Sequence, residues 1–380
     1  MCEQLVVSVT STPQPRVRFG SGTRAPEGGE RYDAAMQTEG MVLRTHGGPE
    51  VLERATFDLP EPGPREVRVR IRAVALNHLD LWTRRGMPNL RLEYPHRLGA
   101  DVVGEVDALG AGARGCKVGD KIVVNPGVSC GTCARCLRGE DNLCKGYGIF
   151  GENRQGGYAR HMNIPDANVL PYPGDLPFTD VAAIPLTFLT AWQMVVRKAR
   201  VVPGQTVLVQ AAGSGVSTAA IQIAKLYGAR VIATAGTPEK CARALRIGAD
   251  VAIDYSKQDF VAEAKKLTNK IGVDAVIEHV GGEVFAKSVL ATRWGGRVVT
   301  CGATSGFEPK LDLRQIFFRQ VEILGSTMGS KADLFQILPH VEAGRLRPVV
   351  DRVLPLWQAQ EAHQVLEERK AFGKVVLEVS

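Results

Sequence analysis

The sequence predicts an α/β protein in which a doubly wound parallel sheet is joined to an all-β, barrel-like portion. From Met41 onward, short strands and turn residues follow one another, which is typical of antiparallel sheets. After about residue 180, apolar strands alternate with helical segments, which indicates a parallel sheet with right-handed crossovers. With 380 residues, the chain is long enough for two domains with their own cores.

The predicted β portion has strands that are buried on one face only. Residues 66–76, EVRVRIRAVAL, alternate apolar and polar side chains, as a half-buried strand does. GEVDALG and GDKIVVNPG, at 104–110 and 119–127, continue with short strands and glycine turns. We assign residues 40–188 and 327–380 to this portion, because the C-terminal helix and strand are expected to return to it.

The predicted parallel sheet occupies residues 189–326. QTVLVQAA, at 205–212, is a continuous apolar strand, and the helical STAAIQIAKLYG follows at 217–228. Further buried strands are expected at 230–236, 250–255, 274–281, 295–303 and 321–329, with a helix at 238–248. Uninterrupted apolar strands are characteristic of sheets that are covered on both faces.

Residues 1–39 are predicted to form a disordered extension, because prolines and glycines interrupt any hydrophobic period there. A targeting peptide is the alternative, since arginines outnumber acids in residues 11–26. We expect a cytoplasmic protein, because a signal peptide and a membrane-length apolar run are not evident. The net charge of +7 is spread along the chain without a basic stripe, which argues against a nucleic-acid partner.

Four of the eight cysteines lie close together, with the spacing C-x2-C-x2-C-x7-C. They are Cys130, Cys133, Cys136 and Cys144. Four thiolates around one tetrahedral zinc form a closed, structural site with no position for substrate. An iron–sulfur cluster also takes four cysteines and is the alternative. We predict one structural zinc, because the ligands come from one short glycine-containing loop.

A glycine-rich turn between an apolar strand and a helix predicts a dinucleotide site. At such a turn, helix-end amides and the helix dipole bind a pyrophosphate. Ser217 stands where a third glycine is expected, so the helix and the strand are expected to pack slightly further apart. The predicted contacts are Gly213, Ser214, Gly215, Val216 and Ser217.

The residues after the next strand favour NADPH over NADH. An NAD site places an acid there to bind the ribose hydroxyls, whereas this chain has Thr234, Ala235, Gly236 and Thr237. Lys240, one turn further on, is predicted to attract the 2′-phosphate. Arg243 on the same helix is a second candidate.

From Met41 to its end the chain resembles the medium-chain dehydrogenase/reductases, which include zinc alcohol dehydrogenases and quinone oxidoreductases. The resemblance rests on HGGPEVL (46–52), GDKIVV (119–124), the cysteine quartet, PLTFLTAW (185–192), the nucleotide turn and FGKVV (372–376). It implies a GroES-like β-barrel catalytic domain, split in sequence, and a Rossmann nucleotide-binding domain. It also implies an active-site cleft between them, and residues 321–329 are similar to the edge through which family members form homodimers.

The resemblance also shows where this chain departs from the zinc alcohol dehydrogenases. Their catalytic zinc has ligands at the positions of Asn77, Ala100 and Leu186, and all three are poor or impossible zinc ligands here. Asn77, Asp80 and the Arg84-Arg85-Gly86 sequence are instead similar to the quinone-oxidoreductase branch. Trp82 stands where that branch often has a tyrosine.

The resemblance implies the remaining site residues. Asn77, Asp80 and Thr190 are expected to be catalytic, with Thr190 at the nicotinamide. Val280 and the Cys301-Gly302-Ala303 turn are expected to line the nicotinamide amide. Tyr255 and Lys374 are expected to contact phosphate or adenosine. His279 is interpreted as a buried structural histidine or, less simply, as a catalytic one.

These observations predict an NADPH-dependent reductase of quinones or α,β-unsaturated carbonyls that has one structural zinc and no catalytic zinc. Without a Lewis acid, an acceptor that delocalises its own negative charge is easier to reduce than a plain ketone. One alternative is an alcohol dehydrogenase with a rearranged metal site among His78, Asp80, His96 and Asp101. The other is a non-catalytic NADPH-binding scaffold protein.

Overall fold

The computed structural model describes residues 35–380. Its first strand begins at Met36, so residues 36–39 were wrongly assigned to the disordered extension. The rest of that predicted extension, residues 1–34, lies outside the described residues.

Seventeen strands are found in the described residues. In chain order they are β1 (Met36–Val42), β2 (Glu53–Leu59), β3 (Glu66–Ala75), β4 (Asp101–Leu109), β5 (Lys121–Val124), β6 (Gly127–Val128), β7 (Gly148–Ile149), β8 (His161–Pro165), β9 (Val169–Pro171), β10 (Thr206–Val209), β11 (Arg230–Ala235), β12 (Val251–Asp254), β13 (Val273–Glu278), β14 (Thr292–Thr300), β15 (Glu322–Gly325), β16 (Val350–Pro355) and β17 (Lys374–Glu378).

Eleven α-helices connect these strands within the same range. They are α1 (His78–Arg85), α2 (Ala134–Leu137), α3 (Phe178–Val181), α4 (Pro185–Trp192), α5 (Gly215–Leu226), α6 (Pro238–Arg246), α7 (Phe260–Leu267), α8 (Gly282–Ala291), α9 (Arg314–Phe317), α10 (Lys331–Glu342) and α11 (Ala359–Glu367).

The first sheet has seven strands in the order β16-β17-β3-β4-β5-β9, with β8 also paired to β3. β3 follows the predicted alternation: Val67, Val69 and Ile71 are buried, while Arg70 between them is exposed. The C-terminal strand β17 pairs antiparallel with β3. The tail therefore returns to the first sheet, and Lys374 begins the strand that does so.

The second sheet has six parallel strands in the order β12-β11-β10-β13-β14-β15. From β10 the chain adds β11 and β12 on one side of the sheet. It then crosses back to add β13, β14 and β15 on the other side of β10, so the strand order reverses between β10 and β13. In such sheets the ligand crevice lies at the carboxyl ends of the strands at this reversal. The doubly wound fold that the sequence predicts is thus confirmed.

Helix α4 lies at the centre of the core that the two sheets share. Phe188, Leu189 and Trp192 are almost completely buried and belong to a cluster that also contains Val103 of β4 and Val209 of β10. The helical segment Phe178–Lys198 is long and apolar enough to cross a membrane. However, 78% of its apolar window is buried inside the fold, as expected of a core helix.

A buried polar network fixes α1 against α11. Arg84, fully buried, donates to Nδ1 of His363 at 2.9 Å and pairs with Glu367. Because arginine can only donate, this Nδ1 accepts and Nε2 carries the proton toward the hydroxyl of Tyr158, 3.0 Å away. Burial, together with Arg84 and Arg85, lowers the pKa of His363 to about 3. The neutral ring therefore anchors the helix that carries the site residues.

Candidate active site

A cleft of about 890 Å³ lies between the two sheet-containing portions. Its lining draws on α1 and β17 from one portion and on the nucleotide turn and the loops after β13 and β14 from the other. The sequence-predicted residues that line it are Asn77, Thr190, Gly213, Ser214, Gly215, Val216, Lys240, Tyr255, Val280, Cys301, Gly302 and Lys374. Asp80, Ser217 and Ala303 do not belong to the lining.

The nucleotide turn joins β10 to α5, as its sequence predicts. Ser214 caps the helix, and its Oγ accepts from the amide of Ser217 at 3.1 Å. A side chain at Gly215 would meet Cδ of Lys374 at 2.8 Å and Cγ2 of Thr187 at 2.9 Å. Glycine therefore lets β17 and α4 approach the positive end of the helix dipole, where an anion is stabilised.

Ser217 is fully buried beneath this turn. Its Oγ donates to the carbonyl of Gln210 at 2.7 Å and lies 2.9 Å from Nε2 of His279. The same His279 nitrogen lies 2.9 Å from Oγ of Ser214. Burial lowers the pKa of His279 to about 4, so the ring is neutral near pH 7. The serine that replaces the expected glycine thus holds a histidine below the turn.

The cleft lining contains one of the two predicted phosphate-binding cations. Lys240 lines the cleft, and its Nζ donates to the carbonyl of Arg369 at 2.7 Å. Tyr255 lies beside Gly236, where a side chain would meet the tyrosine hydroxyl at 2.6 Å. Arg243 instead pairs with Asp351 and donates to the carbonyl of Phe372. Arg243, the second candidate, does not belong to the cleft lining.

Thr190, Val280, Cys301 and Gly302, all predicted to lie at the nicotinamide, also line the cleft. Burial raises the pKa of the Cys301 thiol to about 12. The thiol is therefore neutral and a poor nucleophile at physiological pH. It can line a pocket for a polar amide but not attack a substrate.

Lys374, which lines the cleft, forms an ion pair with the buried Asp101 beneath it. Nζ of Lys374 lies 2.8 Å from Oδ2 of Asp101 and 2.6 Å from Oδ1 of Asn77. Nδ2 of Asn77 donates to the same Asp101 oxygen at 2.9 Å, and the amide of Leu186 donates to Oδ1 at 2.6 Å. Lys374 is 4% exposed and Asp101 is fully buried.

This network occupies the neighbourhood in which the resemblance places a catalytic metal. Asn77 and Leu186, at two of the three expected ligand positions, both donate to Asp101, whose neighbour Ala100 stands at the third. An ammonium already neutralises the carboxylate, and a buried pair of this kind resists separation. The residues present therefore do not fit an open catalytic zinc.

Asp80, predicted to be catalytic, lies below the cleft surface. It is 1% exposed, and its two carboxylate oxygens accept from the amides of Asn77 at 2.7 Å and Gly99 at 2.8 Å. Burial raises its pKa to about 6. Its contacts fix the backbone of Asn77 at the start of α1. Asp80 therefore positions Asn77 without itself lining the cleft.

Several residues of the cleft were not among the predicted catalytic or cofactor-binding residues, although His78 and Trp82 had been noted in the sequence for other reasons. His78 and Trp82 of α1, Glu152, Thr327 and Met328 all line it. Burial, with help from neighbouring cations, lowers the pKa of His78 to about 4, and burial raises that of Glu152. His78 and Trp82 lie on α1 directly after Asn77, and that position was the available signal. Glu152, Thr327 and Met328 lie outside the α-helices and strands.

The cysteine quartet forms a separate cluster outside the cleft. The four sulfurs lie within 4.8 Å of one another. Sγ of Cys130 is 3.8 Å from Sγ of Cys136 and 3.6 Å from Sγ of Cys144. Four sulfurs at zinc–thiolate bond length on a tetrahedron are about 3.8 Å apart. The cluster therefore fits a single tetrahedral ion.

Two family models match the chain. The model described as "Alcohol dehydrogenase GroES-like domain" matches residues 63–174, and that described as "Zinc-binding dehydrogenase" matches residues 215–343.

The chain is similar over most of its length to several known proteins. It is 34% identical to the NAD-dependent alcohol dehydrogenase of Sulfurisphaera tokodaii, over 84% of this chain and 95% of the relative. It is 29% identical to human quinone oxidoreductase, over 87% of this chain and 94% of the relative. A crystal structure of an NAD-dependent alcohol dehydrogenase superimposes with a TM-score of 0.88 at 56% identity, over 90% of this chain and all of that one.

The Asp101–Lys374 pair predicts a strong coupling between two substitutions. Asp101→Asn leaves a buried ammonium without its counter-ion, which is expected to lower the free energy of unfolding by about 3 kcal/mol. Lys374→Met in the Asp101→Asn background is expected to recover most of that loss. Urea denaturation of the two single variants and the double variant measures the coupling. Additive losses in the double variant would contradict the pair.

Proposed function

Because this chain belongs to the medium-chain dehydrogenase/reductase superfamily, we propose that it reduces quinones or α,β-unsaturated carbonyls with NADPH and without a catalytic zinc. Membership makes it an NAD(P)-dependent oxidoreductase of the zinc-binding dehydrogenase type. The finer assignment rests on one observation. The Asp101–Lys374–Asn77 network fills the neighbourhood in which a metal would polarise an alcohol or ketone oxygen.

The chemistry of the acceptor follows from this network. Bound NADPH would supply a hydride. An enone or a quinone delocalises the resulting negative charge into an enolate or a hydroquinone anion, so it needs no Lewis acid. The resemblance implied a phosphate or adenosine contact for Lys374, but its ammonium binds Asp101 and Asn77. We therefore propose that this ammonium stabilises the charge through space. Water would supply the final proton.

The apolar lining supports such an acceptor. Leu79, Trp82, Met87 and Ile149 line the cleft on the side of the first sheet. Flat, weakly polar molecules bury well against side chains of this kind. His78, whose lowered pKa keeps it neutral, adds a hydrogen-bonding group without a charge.

Two other functions make different predictions. An alcohol dehydrogenase with a rearranged metal site would need ligands that the structure engages elsewhere: Asp80 binds two amides, and Asp101 binds Lys374. Among residues 35–380, the cysteine quartet is the one group of at least three His, Cys, Asp or Glu residues with clustered ligand atoms. A scaffold protein would bind NADPH and reduce no acceptor.

A panel of acceptors tests the proposed reaction. We expect kcat/KM for 1,4-benzoquinone or a simple enone to exceed that for acetone by about 100-fold or more, because several kcal/mol of Lewis-acid stabilisation are missing. NADPH oxidation followed at 340 nm measures each rate. Faster reduction of simple ketones with NADPH, or faster oxidation of alcohols with NADP⁺, would contradict the proposal. NADPH binding without turnover of any acceptor would favour a scaffold.

We propose NADPH as the preferred cofactor because of Lys240. It lines the cleft, and Thr234, Ala235, Gly236 and Thr237 at the end of β11 include no acid to repel a 2′-phosphate. The Sulfurisphaera relative is named NAD-dependent, so the two cofactors need a direct comparison.

Lys240→Ala is expected to raise KM for NADPH about tenfold, because the variant loses one charge-assisted hydrogen bond to the 2′-phosphate. KM for NADH should stay within about twofold, because NADH has no 2′-phosphate. Arg246→Ala, an exposed change of the same charge on α6, is the matched control. Equal effects on the two cofactors would contradict this role for Lys240.

We propose that the cysteine quartet holds a structural zinc. All four ligand positions are thiolates, so no position stays open for substrate. Clustered thiolates are stable in a reducing compartment, which supports a cytoplasmic location.

We also propose a homodimer that forms along β15. This strand is the last in its sheet, and an open edge pairs readily with another strand. Ile323 on β15 and Leu313, Phe317 and Phe318 just before it are exposed apolar side chains. Two copies related by a twofold axis would pair β15 with β15 and cover this surface.

Sedimentation should give twice the chain mass of 41.0 kDa. Ile323→Lys places a charge on the proposed interface and is expected to shift the protein toward single chains. Lys266→Glu, on exposed α7, should leave the mass unchanged. A wild-type protein that sediments as single chains would contradict the dimer.

A further inference from the structure

The loop that carries the cysteine quartet also contacts the wall of the cleft. It runs from β6 to β7, and on its inner side Nδ2 of Asn142 donates to the carbonyl of Thr327 at 3.3 Å. Oδ1 of Asp141 accepts from the amide of Lys331 at 3.0 Å. Thr327 and the next residue, Met328, line the cleft.

Asp141 caps a helix from outside its own segment. Lys331 is the first residue of α10, whose first amides have no partner within the helix. Ser330, at the N-cap, makes no side-chain cap of its own. The nearly buried Asp141 carboxylate satisfies one of these amides and lies at the positive end of the helix dipole. The loop therefore fixes where α10 begins.

The segment between β15 and α10 also packs closely against α4. Met328 has a positive φ of 51°, which is uncommon for a residue with a side chain. A side chain at Gly329 would meet Cδ1 of Leu189 at 2.7 Å. This segment thus rests on α4, next to Thr190, and its backbone depends on the surrounding contacts to keep an unfavourable conformation.

The same loop reaches the cleft a second time. β6 and β7 pair through Gly127 and Ile149, and Ile149 lines the cleft. Side-chain amides of Asn125 and Asn168 bind the carbonyl of Gly127 at 2.6 and 2.7 Å. The base of the loop is therefore fixed. Asp141 and Asn142, further along the same loop, contact the segment that contains Thr327 and Lys331.

We propose that Asp141 and Asn142 are positioning residues that set the cleft wall at Thr327 and Met328. The loop acts at the reaction-centre end of the cleft, near Thr190, and not at the adenosine end near Lys240. A zinc ion bound by the cysteine quartet would make this loop rigid enough to serve as that support. The kinetic part of this inference rests on the proposed reduction of quinones, and the structural part does not.

Amide hydrogen exchange tests the structural part. In the zinc-containing protein, Asn142→Ala and Asp141→Ala are expected to raise exchange in residues 326–333. Asp141→Asn keeps an oxygen for the amide of Lys331 and should largely restore protection. Arg135→Ala, on the outer side of the loop where it pairs with Glu140, is the matched control. Unchanged exchange in Asn142→Ala and Asp141→Ala would overturn the inference.

Ligand binding and kinetics test the location of the effect. For Asn142→Ala we expect KM for 1,4-benzoquinone to rise about three- to tenfold. This range corresponds to the free energy of one hydrogen bond, here the lost bond to the carbonyl of Thr327. The Kd of 2′,5′-ADP, which reaches only the adenosine end, should stay within twofold, and zinc should remain at its wild-type amount.

The outcomes separate the two proposals. Raised exchange with no quinone reduction by the wild-type protein would refute the proposed reaction and leave the supporting role of the loop intact. An equal loss of 2′,5′-ADP and quinone binding would show general loosening of the fold and would overturn the positioning role.

Discussion

The ion pair between Asp101 and Lys374 joins parts of the chain that are far apart in sequence. Lys374 begins β17, Asp101 begins β4, and their shared partner Asn77 precedes α1. The amide of Leu186 brings the start of α4 to the same carboxylate. Because each charge is almost fully buried, neither can be removed or displaced without a large desolvation cost. The geometry of the cleft depends on this pair.

The same pair limits the chemistry of the cleft. A zinc ion with an open position binds a substrate oxygen directly, whereas an ammonium acts through hydrogen bonds and charge. This difference is the basis for proposing acceptors that delocalise their own negative charge. Behind it, Asp80 fixes the backbone of Asn77, and the Arg84–His363 contact fixes α1. These positioning contacts are made by the buried side chains of Asp80, Arg84 and His363.

Much of the fold could be predicted from local sequence patterns. The alternation in β3, the apolar strands of the parallel sheet and the turn from Gly213 to Ser217 are short-range signals, and the structure contains each element. The spacing of the cysteine quartet is also local, and the sulfurs do meet. The beginning of the first strand at Met36 was missed because a single strand next to glycine-rich sequence gives a weak pattern.

The contacts within the site could not be predicted in the same way. Asp101 and Lys374 are 273 positions apart, and their pairing depends on the return of β17 to the first sheet. Arg243 on α6 was the second candidate for a phosphate contact, but it pairs with Asp351 of β16, which is far away in sequence. The burial of Asp80 and the support of Thr327 by Asn142 likewise depend on tertiary packing.

The zinc content of the purified protein, measured by elemental analysis together with NADPH binding in the same sample, tests the account most directly. The account predicts one zinc per chain, lost when the cysteine quartet is substituted, and intact NADPH binding in the wild-type protein. Two zincs per chain, one of them retained after substitution of the quartet, would contradict it. The second ion would then have to displace Lys374 from Asp101, and alcohols would become the expected substrates.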